Sequence, residues 1–275
     1  MRWAEIALAA DSPERRERAA TLLTEVAGCH GFAESEGAVT GYLPVDERLE
    51  GTLRTLKAAL DGGDITIRFV AEEDWAHAWK QYFKPQRIGQ RLVIKPSWEA
   101  YAPEPADLVI EMDPGMAFGT GLHATTRLCL QGLEARVTPG VRVADVGTGS
   151  GILAVAAILL GAEHVAATDN DPLAVRIARE NAQRNGLSAR ITVDEASLPP
   201  PGTFGLITAN ILADIILAMA DELVAALAPG GVLIASGIID TRADAVHRGL
   251  EAAGLTWETT ETEGEWVAIH ARRPL

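Results

Sequence analysis

Residues 143–151 read Val-Ala-Asp-Val-Gly-Thr-Gly-Ser-Gly, and the apolar run 152–160 follows without a break. No other stretch narrows the fold as far. A short β-branched segment that enters a glycine-rich turn, with a helix leaving it, is a strand-turn-helix unit that sets a ligand on backbone N–H groups. Gly147 permits the sharp exit from the strand, while Gly149 and Gly151 let a ligand and a neighbouring strand approach backbone that carries no Cβ. The spacing is G-x-G-x-G with Asp145 two residues before the first glycine. It differs from the G-x-G-x-x-G that cradles a dinucleotide pyrophosphate. An acid at this point repels a pyrophosphate but accepts hydrogen bonds from an amino group. The ligand it suits has a cationic end, and S-adenosylmethionine (AdoMet) is the common one.

From residue 142 onward strands and helices alternate. The turn strand and the helix over 152–160, stopped by Gly161, form the first unit. A second strand over 164–168 ends in Asp169, and Asp171 before Pro172 caps the next helix, which runs to Asn185-Gly186. Asp169 lies 22 residues past Gly147 at a strand's carboxyl end, where an acid reaches the ribose hydroxyls of a bound adenosine. Strands follow over 191–193 and 205–208, the latter leading into Ala209-Asn210. A long helix is predicted over 211–228, a strand over 232–236, a helix over 241–253, and a closing hairpin from strands over 256–260 and 266–271. An α/β series that finishes in an antiparallel pair predicts a Rossmann-like, doubly wound, mainly parallel sheet with a reversed edge strand.

The first 70 residues have a different rhythm. Strands over 2–9, 38–43 and 64–70, a weak strand near Phe32, and helices over 13–28 and 46–60 give βαββαβ, a small α+β ferredoxin-like sandwich. His30 stands alone beside Gly31 and reads as structural. Residues 1–70 are therefore assigned as a substrate-recognition domain, 71–105 as a linker helix and connector, and 106–275 as the catalytic domain. In the linker, Trp75, Trp79 and Phe83 fall four apart on one helix face and read as packing.

A strand over 107–112 feeds Asp113-Pro114-Gly115-Met116-Ala117-Phe118-Gly119-Thr120-Gly121, then His123 and Thr125-Thr126 at the start of a helix over 127–136. A glycine-rich loop ending in hydroxyls can close over a ligand. Thr125 or Thr126 then meets a carboxylate, or one of them simply caps the helix. His123 reads as a residue that positions the loop.

Charge and cysteine content narrow the function classes. The net charge is −14, and residues 141–275 carry −8 of it, from 9 basic and 17 acidic side chains. No segment is basic, so direct nucleic-acid binding is not expected, whereas an acidic surface steers a basic partner inward. Cys29 and Cys129 lack ligand-like spacing, which points to a reduced, cytoplasmic protein with no metal site. Neither a signal peptide nor a membrane-spanning run is read from the sequence, and no membrane partner is expected.

With these residues in hand, the chain resembles the class I AdoMet-dependent methyltransferases, and more narrowly the PrmA family that acts on ribosomal protein L11. The narrow resemblance rests on the Glu-Glu-Asp-Trp block to Trp79, the Phe118-Gly119-Thr120-Gly121 loop with His123 and Thr125-Thr126, Asp145 to Gly151, and Ala209-Asn210-Ile211-Leu212. It implies that Thr126 contacts AdoMet from the loop side, that Gly147 gives backbone contacts, that Asp169 holds the ribose, and that Asn210 sits beside the transferred methyl. Asp145 and Gly149 complete the expected cofactor site, and no side chain is assigned as catalytic. Ile211-Leu212 replace the prolines of the Asn-Pro-Pro-Tyr motif, which suits a flexible alkyl amine better than a flat amide or base. The implied activity is methyl transfer to lysine side chains or an N-terminal amine of a basic protein, most simply ribosomal protein L11, free or on the large subunit. Three other readings stand beside it: an AdoMet-dependent enzyme acting on another protein lysine, a nicotinamide oxidoreductase, and a non-catalytic AdoMet-binding module. The glycine spacing and Asn210 count against the oxidoreductase.

Overall fold

The computed structural model describes residues 2–29, 32–35, 37–46, 48–60, 65–71, 84–113, 123–198 and 204–275. His30, the aromatic stripe of Trp75, Trp79 and Phe83, and the glycine loop through Phe118 lie outside the described residues. Two compact units divide the rest, one up to Lys84 and the other from Pro85 onward.

In the first unit β1 (Arg2–Ala9) buries Ala4, Ile6 and Leu8 on one face, the period-two pattern of a half-covered sheet. Ser12 caps α1 (Pro13–Thr21), its side chain accepting from the Arg15 N–H at 3.3 Å, and a π-helical turn (Leu22–Val26) extends it. Then come β2 (Phe32–Ser35), β3 (Ala38–Pro44), α2 (Leu49–Ala59) and β4 (Ile65–Ala71). The strand order β2-β3-β1-β4, antiparallel throughout, is the expected ferredoxin-like sandwich. The second helix starts later than predicted because Asp46 makes a turn first, its carboxylate accepting from the Arg48 N–H at 2.9 Å.

The second unit is built on seven strands: β8 (Arg142–Val146), β9 (His164–Asp169), β10 (Ile191–Glu195), β11 (Phe204–Asn210), β12 (Leu227–Ile239), β13 (Thr256–Glu263) and β14 (Trp266–Arg272). Their order is β10-β9-β8-β11-β12-β14-β13, parallel as far as β12 and antiparallel beyond it. Alternation along each strand feeds two cores. Val143, Val165, Leu206 and Ile234 enter one, beneath α3 (Ala124–Arg136), α4 (Ile152–Leu160) and α5 (Pro172–Arg184). Ala144, Ala166, Ile207 and Leu233 enter the other, beneath α6 (Ala213–Ala218), α7 (Ala220–Ala226) and α8 (Asp240–Ala252). The same parity puts Asp145, Asp169, Thr208 and Asn210 on the α3–α5 side, at or near the carboxyl ends of their strands.

A three-stranded sheet of β5 (Gln86–Ile88), β6 (Leu92–Lys95) and β7 (Leu108–Glu111) shares the α3–α5 core. Two side chains stitch it on. Glu134 of α3 accepts the N–H groups of Gln90 and Arg91, each at 2.7 Å, and Asn185 exchanges two 2.9 Å bonds with the backbone of Glu111 as an extra strand residue would.

The helix predicted over 211–228 is broken at Met219 (φ −110, ψ 14) into α6 and α7. The buried positions Ala213, Ile216, Ala220 and Leu223 keep helical period across the break, so periodicity alone runs over it.

Gly132 lies inside α3, where glycine costs about 1 kcal/mol relative to alanine. A Cβ there would come within 2.9 Å of the His270 ring, so the glycine lets the helix ride directly over that histidine. His270 is 1% exposed and its Nδ1 accepts from the Arg136 Nε–H at 2.8 Å. Burial, and then the Arg136 charge, push its pKa down to about 4. The unfolded state, with an ordinary histidine near pKa 6.5, therefore binds the proton more readily. The resulting stability is complete above pH 6.5 and is lost as pH falls toward 4, by up to about 3 kcal/mol. Urea unfolding at pH 7 and pH 4.5 should show that loss, and His270→Gln should reduce it; the same pH dependence in both proteins would contradict this.

Candidate active site

The site begins with a buried acid. Asp145 is 1% exposed, and its oxygens accept from the Thr148 hydroxyl at 2.6 Å and the Thr208 hydroxyl at 2.7 Å. The backbone N–H of Ala154, in the first turn of α4, also bonds to it. Burial raises its pKa, and the three donors work against that rise. The carboxylate expected to face a ligand's amino group is thus the internal tie of the glycine turn, joining the turn, the neighbouring strand and the helix start.

Around it the turn is tightly specified. The N–H groups of Gly147 and Thr148 both donate to the Thr168 carbonyl at 2.9 Å. Gly147, Gly149 and Gly151 have φ of 68°, 54° and 81°, the left-handed region that favours glycine. A Cβ on Gly147 would meet Ile211 Cγ2 at 2.3 Å, and one on Gly151 would meet Ala178 Cα at 3.1 Å. Asn181 of α5 donates to the Ser150 carbonyl at 2.8 Å from the other side.

Asp169 stands at the end of β9 beside this turn. One oxygen accepts from the Gly149 N–H at 2.9 Å and the other from the Asp171 N–H at 3.0 Å. Each oxygen keeps a second lone pair for a further donor. Immediately before it, the buried Thr168 hydroxyl has no hydrogen-bond partner among the described residues.

Asn210 and Thr126 meet. The Asn210 amide nitrogen donates to the Thr126 hydroxyl over a long 3.5 Å, while its buried Oδ1 has no partner among the described residues. Thr126 is 1% exposed, one residue past Thr125 in the first turn of α3. Neither threonine is the cap. His123 takes that role, its Nδ1 accepting from the Thr125 N–H at 3.4 Å and lying 2.8 Å from the Thr125 hydroxyl. Its pKa is lowered by burial first and the Arg127 charge second, which suits an accepting, neutral ring. The ring also packs edge-on against Trp266, with centroids 4.8 Å apart.

The six positions expected to bind a cofactor thus fall into two groups, Asp145, Gly147, Gly149 and Asp169 around the turn, and Asn210 with Thr126 between β11 and α3. Sequence reasoning missed Thr148, Thr208, Asn181 and Trp266. Thr208 had a signal, since it stands two residues before Asn210 and so shares its face. Both cysteines are buried and unbridged, with thiol pKa values raised by burial, Cys29 to about 12. Among the described residues no three His, Cys, Asp or Glu side chains gather as a metal ion requires, and no helix is long and apolar enough to cross a membrane.

This strand order, with a glycine turn after the first strand and an acid ending the second, defines a class I AdoMet-dependent methyltransferase. The family model described as ribosomal protein L11 methyltransferase (PrmA) matches residues 3–274, and the chain belongs to that family. It is 56% identical over 242 residues to a ribosomal protein L11 methyltransferase of Pelotomaculum thermopropionicum, covering 85% of this chain and 79% of the relative. To the Chloroflexus aurantiacus protein of that name it is 42% identical, covering 99% and 98% of the two chains. A crystal structure of ribosomal protein L11 methylase from Lactobacillus delbrueckii subsp. bulgaricus superposes with a TM-score of 0.66 at 37% identity, over 70% of this chain and all of that one.

If Asp145 is the tie of the turn, Thr208→Val, which keeps the shape and removes the donor, should cost about 2 kcal/mol in urea unfolding. A loss below about 0.5 kcal/mol, the scale of an ordinary surface change, would contradict it.

Proposed function

We propose that this protein transfers methyl groups from AdoMet to amino groups of ribosomal protein L11, lysine side chains or the N-terminal amine. The observation that carries the reading is the pairing of a glycine cradle, flanked by Asp169, with an Asn210 whose buried Oδ1 has no donor among the described residues. The residues fit the cofactor. The N–H groups of Gly147 and Gly149 are spent on Thr168 and Asp169, so these glycines give the cradle its shape, while Asp169 offers two oxygens for ribose hydroxyls and Thr126 accepts from the amide of Asn210. Asp145 then contributes by holding the cradle's shape. When bound, AdoMet supplies a methyl group carried on a sulfonium, which an in-line attack by an amine lone pair removes.

The chain's own work is to bind, align and keep water away. With Nδ2 turned toward Thr126, Asn210 presents Oδ1 to an amine N–H, which aims the nitrogen lone pair away from the amide. The amine must be neutral. A lysine of pKa about 10.4 costs roughly 4.6 kcal/mol to deprotonate at pH 7, and an α-amine near 8 about 1.4. The three titratable side chains placed in the site have other work. Asp145 is enclosed by its donors, Asp169 is assigned to the ribose, and the Nδ1 of His123 serves the helix start. Desolvation of the ammonium must therefore lower its pKa.

In this reading residues 1–70 recognise the substrate, residues 71–105 link, and the catalytic unit follows, in the cytoplasm and without direct nucleic-acid or membrane contact. The acidic surface favours a basic protein. Mass spectrometry of ribosomal proteins incubated with the enzyme and AdoMet tests the activity. Added methyl mass on L11 amines is expected, and modification confined to other proteins would overturn the substrate.

Asp169→Ala should weaken AdoMet binding by about 2–4 kcal/mol in calorimetry, the worth of one or two hydrogen bonds to a charged group. Unchanged affinity would remove the ribose assignment. Because deprotonation precedes transfer, the single-turnover rate should climb with alkalinity from about pH 6 to 9; a flat profile with chemistry limiting would count against a protonated resting amine.

A further inference from the structure

The chain bends directly after Asn210, and two backbone contacts hold the bend. The Ile211 N–H donates to the Ser236 carbonyl at 3.1 Å. Gly237, at φ 80°, lies so close to the Ile211 backbone that a Cβ there would stand 2.5 Å from its carbonyl oxygen. Held this way, the next residues turn apolar side chains outward: Leu212 is 68% exposed and Ile215 45% exposed, and Ala218, three further on, is exposed as well.

The outer stripe of a surface helix is usually polar, whereas here Asp214, ion-paired with Arg242, is the one polar residue among the exposed positions 212, 214, 215 and 218. Leu212 also occupies the N-cap of α6 and makes no side-chain cap bond. That position normally belongs to Ser, Thr, Asp or Asn, at a stability cost when it does not. The stripe runs into acids. Asp221 and Glu222 of α7 are exposed and form no ion pair among the described residues. Between Arg190 and Arg242 the chain holds six acids and no Lys, Arg or His.

We infer that Leu212 and Ile215 form a docking strip for the segment of the substrate protein that carries the target amine, seating an apolar residue beside it, while Asp221 and Glu222 receive flanking Lys or Arg. The occupant is set by charge complementarity and by position, since the strip starts two residues from Asn210. Recognition is then divided, with the strip reading the residues next to the amine. The inference rests on the methyltransferase reading above and adds which neighbours the amine must have.

The test uses the full-length enzyme, ribosomal protein L11 and tritiated AdoMet, with two variants, Leu212→Ser/Ile215→Ser and Asp221→Lys/Glu222→Lys. The serine pair should raise KM for L11 about tenfold with kcat and AdoMet affinity within about twofold of the unaltered enzyme. The lysine pair should lower kcat/KM about tenfold at low salt, with the gap narrowing as salt rises. AdoMet affinity reports folding of the catalytic unit in both. Unchanged KM in the serine pair, or a fall in kcat alone, would overturn the strip and leave the activity standing. No label transfer to L11 by the unaltered enzyme would overturn the activity and the strip together.

Discussion

One buried carboxylate holds this site in register. Placing a charge in a dry interior costs several kcal/mol unless donors surround it. Asp145 has the hydroxyls of Thr148 and Thr208 and the amide of Ala154. These donors belong to the glycine turn, the adjacent strand and the first turn of α4. Satisfying one acid therefore fixes the relative position of three elements. The Gly147 and Thr148 amides on the Thr168 carbonyl, and Asn181 on Ser150, brace the same turn from β9 and α5.

Strand parity carries that order outward. Because β8, β9 and β11 run parallel and in register, residues at equivalent steps face the same layer of helices. Asp145, Asp169, Thr208 and Asn210 reach a single edge without any loop having to bring them there. Loops at the carboxyl ends of parallel strands are where open α/β sheets bind ligands. Here the edge is closed on one side by the first turn of α3, whose start is set by His123 against Trp266.

Much of this was legible in the sequence, for reasons that can be named. The turn and the helix after it have local causes, glycine conformation and an unbroken apolar run, and the structure keeps helix 152–160 to the residue. The βαββαβ pattern of the first unit and the reversed edge of the second likewise follow from periodicity and turn residues. What was hidden depends on contacts far apart in the chain. A glycine inside α3 has meaning only once His270, 138 positions later, is seen beneath it. Glu134 and Asn185 look like surface residues until they bond to the small sheet, and Asp145 looked ligand-facing because Thr208 lies 63 residues away. The threonine pair at 125–126 suggested capping, yet a histidine with a lowered pKa accepts the bond instead.

The most direct measurement is a crystal structure with S-adenosylhomocysteine bound. Its ribose hydroxyls should lie on the Asp169 carboxylate and its sulfur on the side of the turn that faces Asn210 Oδ1, with the Asp145 to Thr208 bond unchanged. A nucleoside bound elsewhere, or an Asp169 carboxylate turned away from it, would contradict the site described here.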